Sequence, residues 1–254
     1  MILDLFKLDG KVALVTGAAQ GLGQGMALAL AEAGADIASL DRVGCEGTCE
    51  SVRTLGRKYC DSVVDLREAS VDDLQAVVTR IVKELGHIDI LVNNAGTIRR
   101  TPAIDFSETD WDDVLQINLK AAFFLSQAVG RVMISQGGGK IINTASMLSF
   151  QGGITVPSYT ASKSGLAGLT RALANEWAKH NINVNAIAPG YMATDNTAAL
   201  RADPNRSTSI LDRIPAGRWG TPDDLQGVVV FLASPASDYV NGAILPVDGG
   251  WLAR

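Results

Sequence analysis

Short apolar runs rich in β-branched residues alternate along the chain with longer stretches whose apolar positions recur at helical spacing. Residues 11–16, 36–40, 59–64, 88–92, 140–144, 183–187 and 243–247 carry the strand pattern, bounded by Gly, Asp, Asn or Pro. Residues 26–33, 71–85, 109–136, 159–179 and 224–233 read as helices, the last with a start signal in Thr221 and Pro222. Strands this apolar are buried on both faces, and strands that alternate with helices pair in parallel through right-handed crossovers. The expected fold is therefore α/β, a doubly wound parallel sheet in a single domain over residues 1–254, without repeats or linkers. Two stretches depart from the simple pattern. Residues 121–125 are apolar nearly all round, so their helix is expected to face the sheet on one side and a second subunit on the other. Residues 191–213 are rich in Asn, Asp, Thr and Arg and follow a strand C-terminus, which predicts a mobile lid.

Composition changes this picture mainly by exclusion. A net charge of -5 argues against a nucleic-acid or anionic-membrane partner, either of which needs a basic face. Cys45, Cys49 and Cys60 make neither a disulfide framework nor a zinc set, so free thiols and no metal site are expected. The first residues are broken by charge too early for a leader peptide, and no apolar run approaches the ~20 residues of a membrane span. A cytoplasmic location is the expectation.

Ligands in doubly wound sheets bind outside the strand C-termini, and the chemistry-bearing residues of this chain collect there. Gly17, Gly21 and Gly23 lie between the first strand and its helix, where backbone N–H groups can approach a phosphate. Asp41 ends the second strand, about 20 residues on, and suits the hydroxyls of an adenosine ribose. Its charge repels a 2′-phosphate and favours NAD over NADP, although Arg42 beside it weakens that exclusion. Asp65 ends the third strand as a candidate for the adenine amino group, and Asn93, Asn94, Ala95 and Gly96 follow the fourth. Arg99 and Arg100 come next, either as a carboxylate site or as solvated surface charges. Tyr159 and Lys163 are four residues apart at the start of a helix and share one face, so the ammonium is expected to lower the phenol pKa toward the working range. Ser146 follows the fifth strand and can hold a substrate oxygen beside the phenol. Asn118 reads either as a polar residue facing a loop or as a water-binding amide near Lys163.

In order, Thr16 to Gly23, Asn93 to Gly96, Asn118, Ser146, Tyr159 with Lys163, and Pro189 and Gly190 through Thr194 resemble the motifs of the short-chain dehydrogenase/reductase family across essentially the whole chain. The resemblance implies a seven-stranded Rossmann-like sheet and a homotetramer, here through the helices around 110–136 and 157–179. It implies Tyr159 as general acid/base, Lys163 as the cation that lowers its pKa and holds the nicotinamide ribose, Ser146 as the group placing the reacting oxygen, and Asn118 as the holder of a relay water. The implied cofactor is NAD, contacted by Gly17, Gln20, Gly21, Leu22, Gly23, Asp41, Asp65, Leu66, Asn93, Ala95, Gly96, Tyr159, Lys163, Pro189, Gly190, Met192 and Thr194. Residues 146–154, 175–185, 211–219 and 247–254 are similar to the branch of the family that interconverts an alcohol and a ketone on deoxy sugar acids in uronate and pectin breakdown. That makes the expected partner a small anionic sugar acid. Gluconate, an acyl-carrier-linked ketone, or cofactor sensing without turnover stand as alternatives. The complete set of Asn118, Ser146, Tyr159 and Lys163 argues against the last, because a binder needs no proton path.

Overall fold

The seven apolar runs become β1 (Val12–Thr16), β2 (Asp36–Asp41), β3 (Tyr59–Val63), β4 (Ile90–Asn93), β5 (Gly139–Thr144), β6 (Ile182–Pro189) and β7 (Ile244–Val247) in a computed structural model that describes residues 1–254. All pair in parallel, in the order β3-β2-β1-β4-β5-β6-β7. Strand order reverses between β1 and β4, which opens a crevice at their C-terminal ends. The helices are α1 (Gly21–Glu32), α2 (Glu46–Thr54), α3 (Val71–Leu85), α4 (Glu108–Leu115), α5 (Ala121–Gln136), α6 (Pro157–Trp177), α7 (Ala198–Ala202), α8 (Pro204–Leu211) and α9 (Gln226–Ala233).

Strand side chains alternate between two cores, one on each face of the sheet. Ala13 and Val15 of β1 enter the core under α1 and α9 with Met26, Leu30, Val229 and Leu232. Leu14 enters the opposite core with Leu74, Ile81, Leu125, Val129 and Leu173 of α3, α5 and α6. No helix is long and apolar enough to cross a membrane.

Three features differ from the sequence pattern. Helix α2 is additional; only Thr48 and Val52 of it are buried, too few to give a periodic signal. The expected helix over 109–136 is two helices joined by a π-helical turn, Gln116–Lys120, with buried Asn118 at its centre. Residues 191–213 contain α7 and α8, the latter started by Asp203, whose carboxylate accepts from Asn205 N and Arg206 N at 2.9 and 3.1 Å.

Candidate active site

The switch point is stitched by side chains that reach across it. Thr16 Oγ1 accepts from Asn94 N and Ala95 N, both at 2.9 Å, and Asn94 Nδ2 donates to Thr16 O and Gly17 O at 3.0 and 3.2 Å. A Cβ on Gly23 would lie 1.9 Å from Gly17 O, so the first turn of α1 closes directly onto the loop. Gly17 takes a φ of 67°, a conformation that side chains disfavour. The result is a cleft of about 820 Å³ that opens onto the backbone of the glycine turn at the N-terminus of α1.

Gly17, Gln20, Gly21, Leu22, Gly23, Asp41, Asp65, Leu66, Ala95, Gly96, Tyr159, Lys163 and Thr194 all line this cleft. Asp41 accepts from Ala19 N at 3.0 Å and from Arg42 N at 2.7 Å, one bond per oxygen, which leaves lone pairs for further donors. These groups fit a dinucleotide: open amides for a pyrophosphate, and carboxylates at β2 and β3 for the adenosine end.

Four expected cofactor residues are not among the side chains that line this cleft. Asn93 is buried, with its amide donating to Ser126 Oγ and Asn143 Oδ1, both at 2.9 Å. Met192 is buried in the core on the α1 and α9 face. Pro189 closes β6, and Gly190 is small because a Cβ there would sit 2.6 Å from Asp248 Cα. Thr144, Asp195 and Asn196, which motif reading passed over, do line the cleft. Thr144 was recognisable from its place at a strand C-terminus two residues before Ser146.

Tyr159 and Lys163 lie on the first turns of α6, which begins with Pro157 at its N-terminus. Lys163 is buried and its Nζ donates to Thr144 O at 2.6 Å, 5.7 Å from the Tyr159 ring centroid. Burial pushes Lys163 down to about 8 and pushes the Tyr159 phenol above its ordinary value. Two neighbours pull the phenol back, the Ser146 hydroxyl first and the Arg100 charge second. The Lys163 ammonium, hydrogen-bonded to Thr144 O and set beside the Tyr159 ring, is placed to favour the phenolate, and the Arg100 charge acts in the same direction. Ser146 is buried beyond β5 and its Oγ accepts from Leu148 N at 3.1 Å.

The Asn118 amide is also occupied. Oδ1 accepts from Thr97 N at 2.8 Å, and Nδ2 donates to Thr97 O at 3.0 Å and to Ser162 Oγ at 3.1 Å. Both amide hydrogens are spent, so this side chain fixes the loop after β4 against α6 instead of holding a water through its NH₂. The two arginines separate as well. Arg99 Nε donates to Asp110 Oδ1 at 3.0 Å and Nη2 to Asp113 Oδ2 at 3.4 Å, which consumes its charge within α4. Arg100 meets no carboxylate; its Nη2 donates to Asn196 O at 3.2 Å.

A family model described as Enoyl-(Acyl carrier protein) reductase matches residues 17–252. The chain is 66% identical over 255 residues to the 2-dehydro-3-deoxy-D-gluconate 5-dehydrogenase of Escherichia coli (strain K12), covering 100% of both proteins. Identity to the protein of the same name from Dickeya dadantii (strain 3937) is 64%, again over 100% of both. The crystal structure of a gluconate 5-dehydrogenase from Burkholderia cenocepacia J2315, in complex with NADP and tartrate, matches with a TM-score of 0.95 at 41% identity and covers 100% of both chains. With sheet order, cleft and full-length similarity in agreement, the chain belongs to the short-chain dehydrogenase/reductase family.

Proposed function

We propose that this protein is an NAD-dependent 2-dehydro-3-deoxy-D-gluconate 5-dehydrogenase, interconverting a secondary alcohol and a ketone on a deoxy sugar acid in uronate and pectin breakdown. Bound nicotinamide supplies the hydride acceptor or donor. The protein handles the proton. In the oxidative direction the Tyr159 phenolate takes the hydroxyl proton while the Ser146 hydroxyl holds the reacting oxygen. Lys163, which lines the cleft beside the Tyr159 ring, favours the phenolate and holds the nicotinamide ribose, while Asn118 keeps the loop after β4 in register through Thr97. Residues 191–213 cover the substrate side as a lid.

The observation that carries the sugar-acid reading is Arg100. It is a guanidinium without a carboxylate partner, and its charge is felt at the phenol. A cation left free of a carboxylate and bonded to the backbone of Asn196, which lines the cleft, suits a substrate carboxylate. The names of the full-length relatives support the same substrate class. An acyl-carrier-linked ketone is the second reading, favoured by the family model's description. A panel of deoxy and keto sugar acids against acyl thioesters, followed by NADH absorbance, decides between them; turnover confined to thioesters would overturn the sugar-acid reading. In the same assay Arg100→Ala is expected to raise KM for the anionic sugar acid by about 10- to 100-fold, the worth of a charge-assisted hydrogen bond, and to leave a neutral analogue almost unchanged. Equal effects on both would make Arg100 a surface charge.

The preference for NAD rests on the Asp41 carboxylate at the end of β2. NADP accompanies the Burkholderia protein, so the discriminating group in this chain needs its own test. Asp41→Ala is expected to lower the NAD/NADP ratio of kcat/KM by about tenfold or more, because it removes a ribose acceptor and a repulsive charge together. An unchanged ratio would count against that role. A cytoplasmic homotetramer completes the reading. It is supported by the Phe123–Phe124 pair, only partly covered on α5, and by Trp111 of α4, which is 38% exposed.

A further inference from the structure

One small hydrophobic nucleus stands apart from the two cores on the sheet faces. Met147, Ile210, Ile214 and Trp251 are buried in it. They come from three distant segments: Met147 directly follows Ser146, Ile210 is on α8 with Ile214 just beyond, and Trp251 starts the C-terminal turn Trp251–Ala253. Tyr191, the first residue of the segment 191–213, meets Trp251 edge-on at 4.8 Å and Trp219 at 5.5 Å. Arg213 lies over the Trp251 ring, 3.9 Å from its centroid, and its Nη2 donates to Gln151 Oε1 at 3.3 Å. A single guanidinium thus ties the C-terminal turn to the loop between Ser146 and Tyr159. The turn is itself held by Asp248, which accepts from Gly250 N and Leu252 N, both at 2.9 Å, and by Ala216 N donating to Gly249 O at 3.0 Å. Trp251 Nε1 is buried with no acceptor. A buried donor left unpaired is costly, so the residue holds its place through ring packing and not through a hydrogen bond.

We propose that Trp251, with Arg213 stacked on it, is a positioning residue for the substrate side of the cleft: it fixes the segment 191–213 to the turn carrying Ser146, so that the two are set as one body. The inference rests on the reading that Ser146 holds a substrate oxygen beside Tyr159. Removing the indole leaves a cavity into which Met147 and Ile210 relax, and Met147 is bonded directly to Ser146. Small displacements of a positioning group are expensive in rate and apparent affinity. The glycine turn and Asp41 are not part of this nucleus, and of the cleft lining only Ala193, Thr194, Asp195 and Asn196 belong to the segment it fixes, so most of the dinucleotide site is untouched.

The test compares full-length Trp251→Ala, Trp251→Phe and Arg213→Met proteins with the wild type. Trypsin cleavage after Arg201 and Arg206, in α7 and α8, reports on the segment without any substrate. Trp251→Ala is expected to be cut there about tenfold faster and to show KM for the sugar acid raised about tenfold, with the Kd for NADH within about twofold of wild type. Phe keeps the ring packing and is expected to restore both to within about threefold; the exposed Arg213→Met change, which spares the fold, is expected to fall between. Wild-type cleavage and KM in Trp251→Ala would overturn the proposal, as would NADH binding lost in parallel with KM. If Trp251→Ala fails to fold, Arg213→Met decides by the same two readouts. If the wild type turns over no sugar acid, the functional reading fails and the cleavage rates alone decide this one.

Discussion

Tyr159→Phe is expected to lower kcat by about 10³-fold or more, at the upper part of the range for a positioned general acid or base, while the Kd for NADH stays within about twofold. The change removes one oxygen and keeps the ring that lines the cleft. Nothing nearby can replace it. Lys163 is held by Thr144 O and sits 5.7 Å from the ring centroid, and Ser146 Oγ is already an acceptor for Leu148 N. A water in the vacated space is a far weaker acid than a phenol. Single-turnover absorbance of NADH, with binding measured separately by fluorescence, separates the two quantities; wild-type kcat in the variant would remove the phenol from the proton transfer. The pH profile adds a second arm. Burial raises the phenol pKa, and Arg100 is one of the groups that lower it again. The phenolate is the active form for alcohol oxidation, so kcat/KM in that direction rises with pH through the phenol pKa. Loss of the Arg100 charge is then expected to move that rise to higher pH, in addition to its effect on KM.

The fold was legible because parallel strands buried on both faces leave continuous apolar runs, and all seven runs became strands. The cleft was legible because its groups share one rim: the glycine turn, Asp41, Asp65, Gly96 and Tyr159 come from successive strand ends that only the topology unites. What the sequence withheld depends on partners far along the chain. The π turn at Asn118 is locked by Thr97 and Ser162, 21 and 44 residues away, and helix propensity carries no trace of that. Arg99 and Arg100 are adjacent and chemically identical, yet Asp110 and Asp113 neutralise only the first. Spacing gave Tyr159 and Lys163 a common helix face but not the carbonyl of Thr144, which captures the ammonium. Trp251 is a lone tryptophan near the C-terminus until Met147 and Ile210 are brought against it.

Lys163→Met is expected to abolish turnover and yet to make the protein more stable at pH 7. The ammonium is 3% exposed, and burial lowers its pKa from the ordinary 10.5 to about 8. That gap corresponds to roughly 3 kcal/mol of penalty on the charged folded state. The bond to Thr144 O, at 2.6 Å, offsets part of it, and its loss in the variant leaves a buried carbonyl short of a donor at a cost of about 1–2 kcal/mol. The net gain is about 1–2 kcal/mol, or roughly 3–6 °C in Tm for a chain of this size. Its pH dependence has a definite sign. Below pH 8 both folded and unfolded wild-type chains carry the proton, and the penalty is present in full. Between about 8 and 10.5 the unfolded chain binds more protons than the folded one, so wild-type stability rises with pH. The Tm advantage of Lys163→Met is therefore expected to be constant below pH 8 and to shrink toward pH 10. A variant melting below wild type at pH 7 would mean that the surroundings stabilise the ammonium more than burial penalises it. A stabilised but inactive variant would identify Lys163 as a charge kept at a cost in stability, for what it does in the cleft.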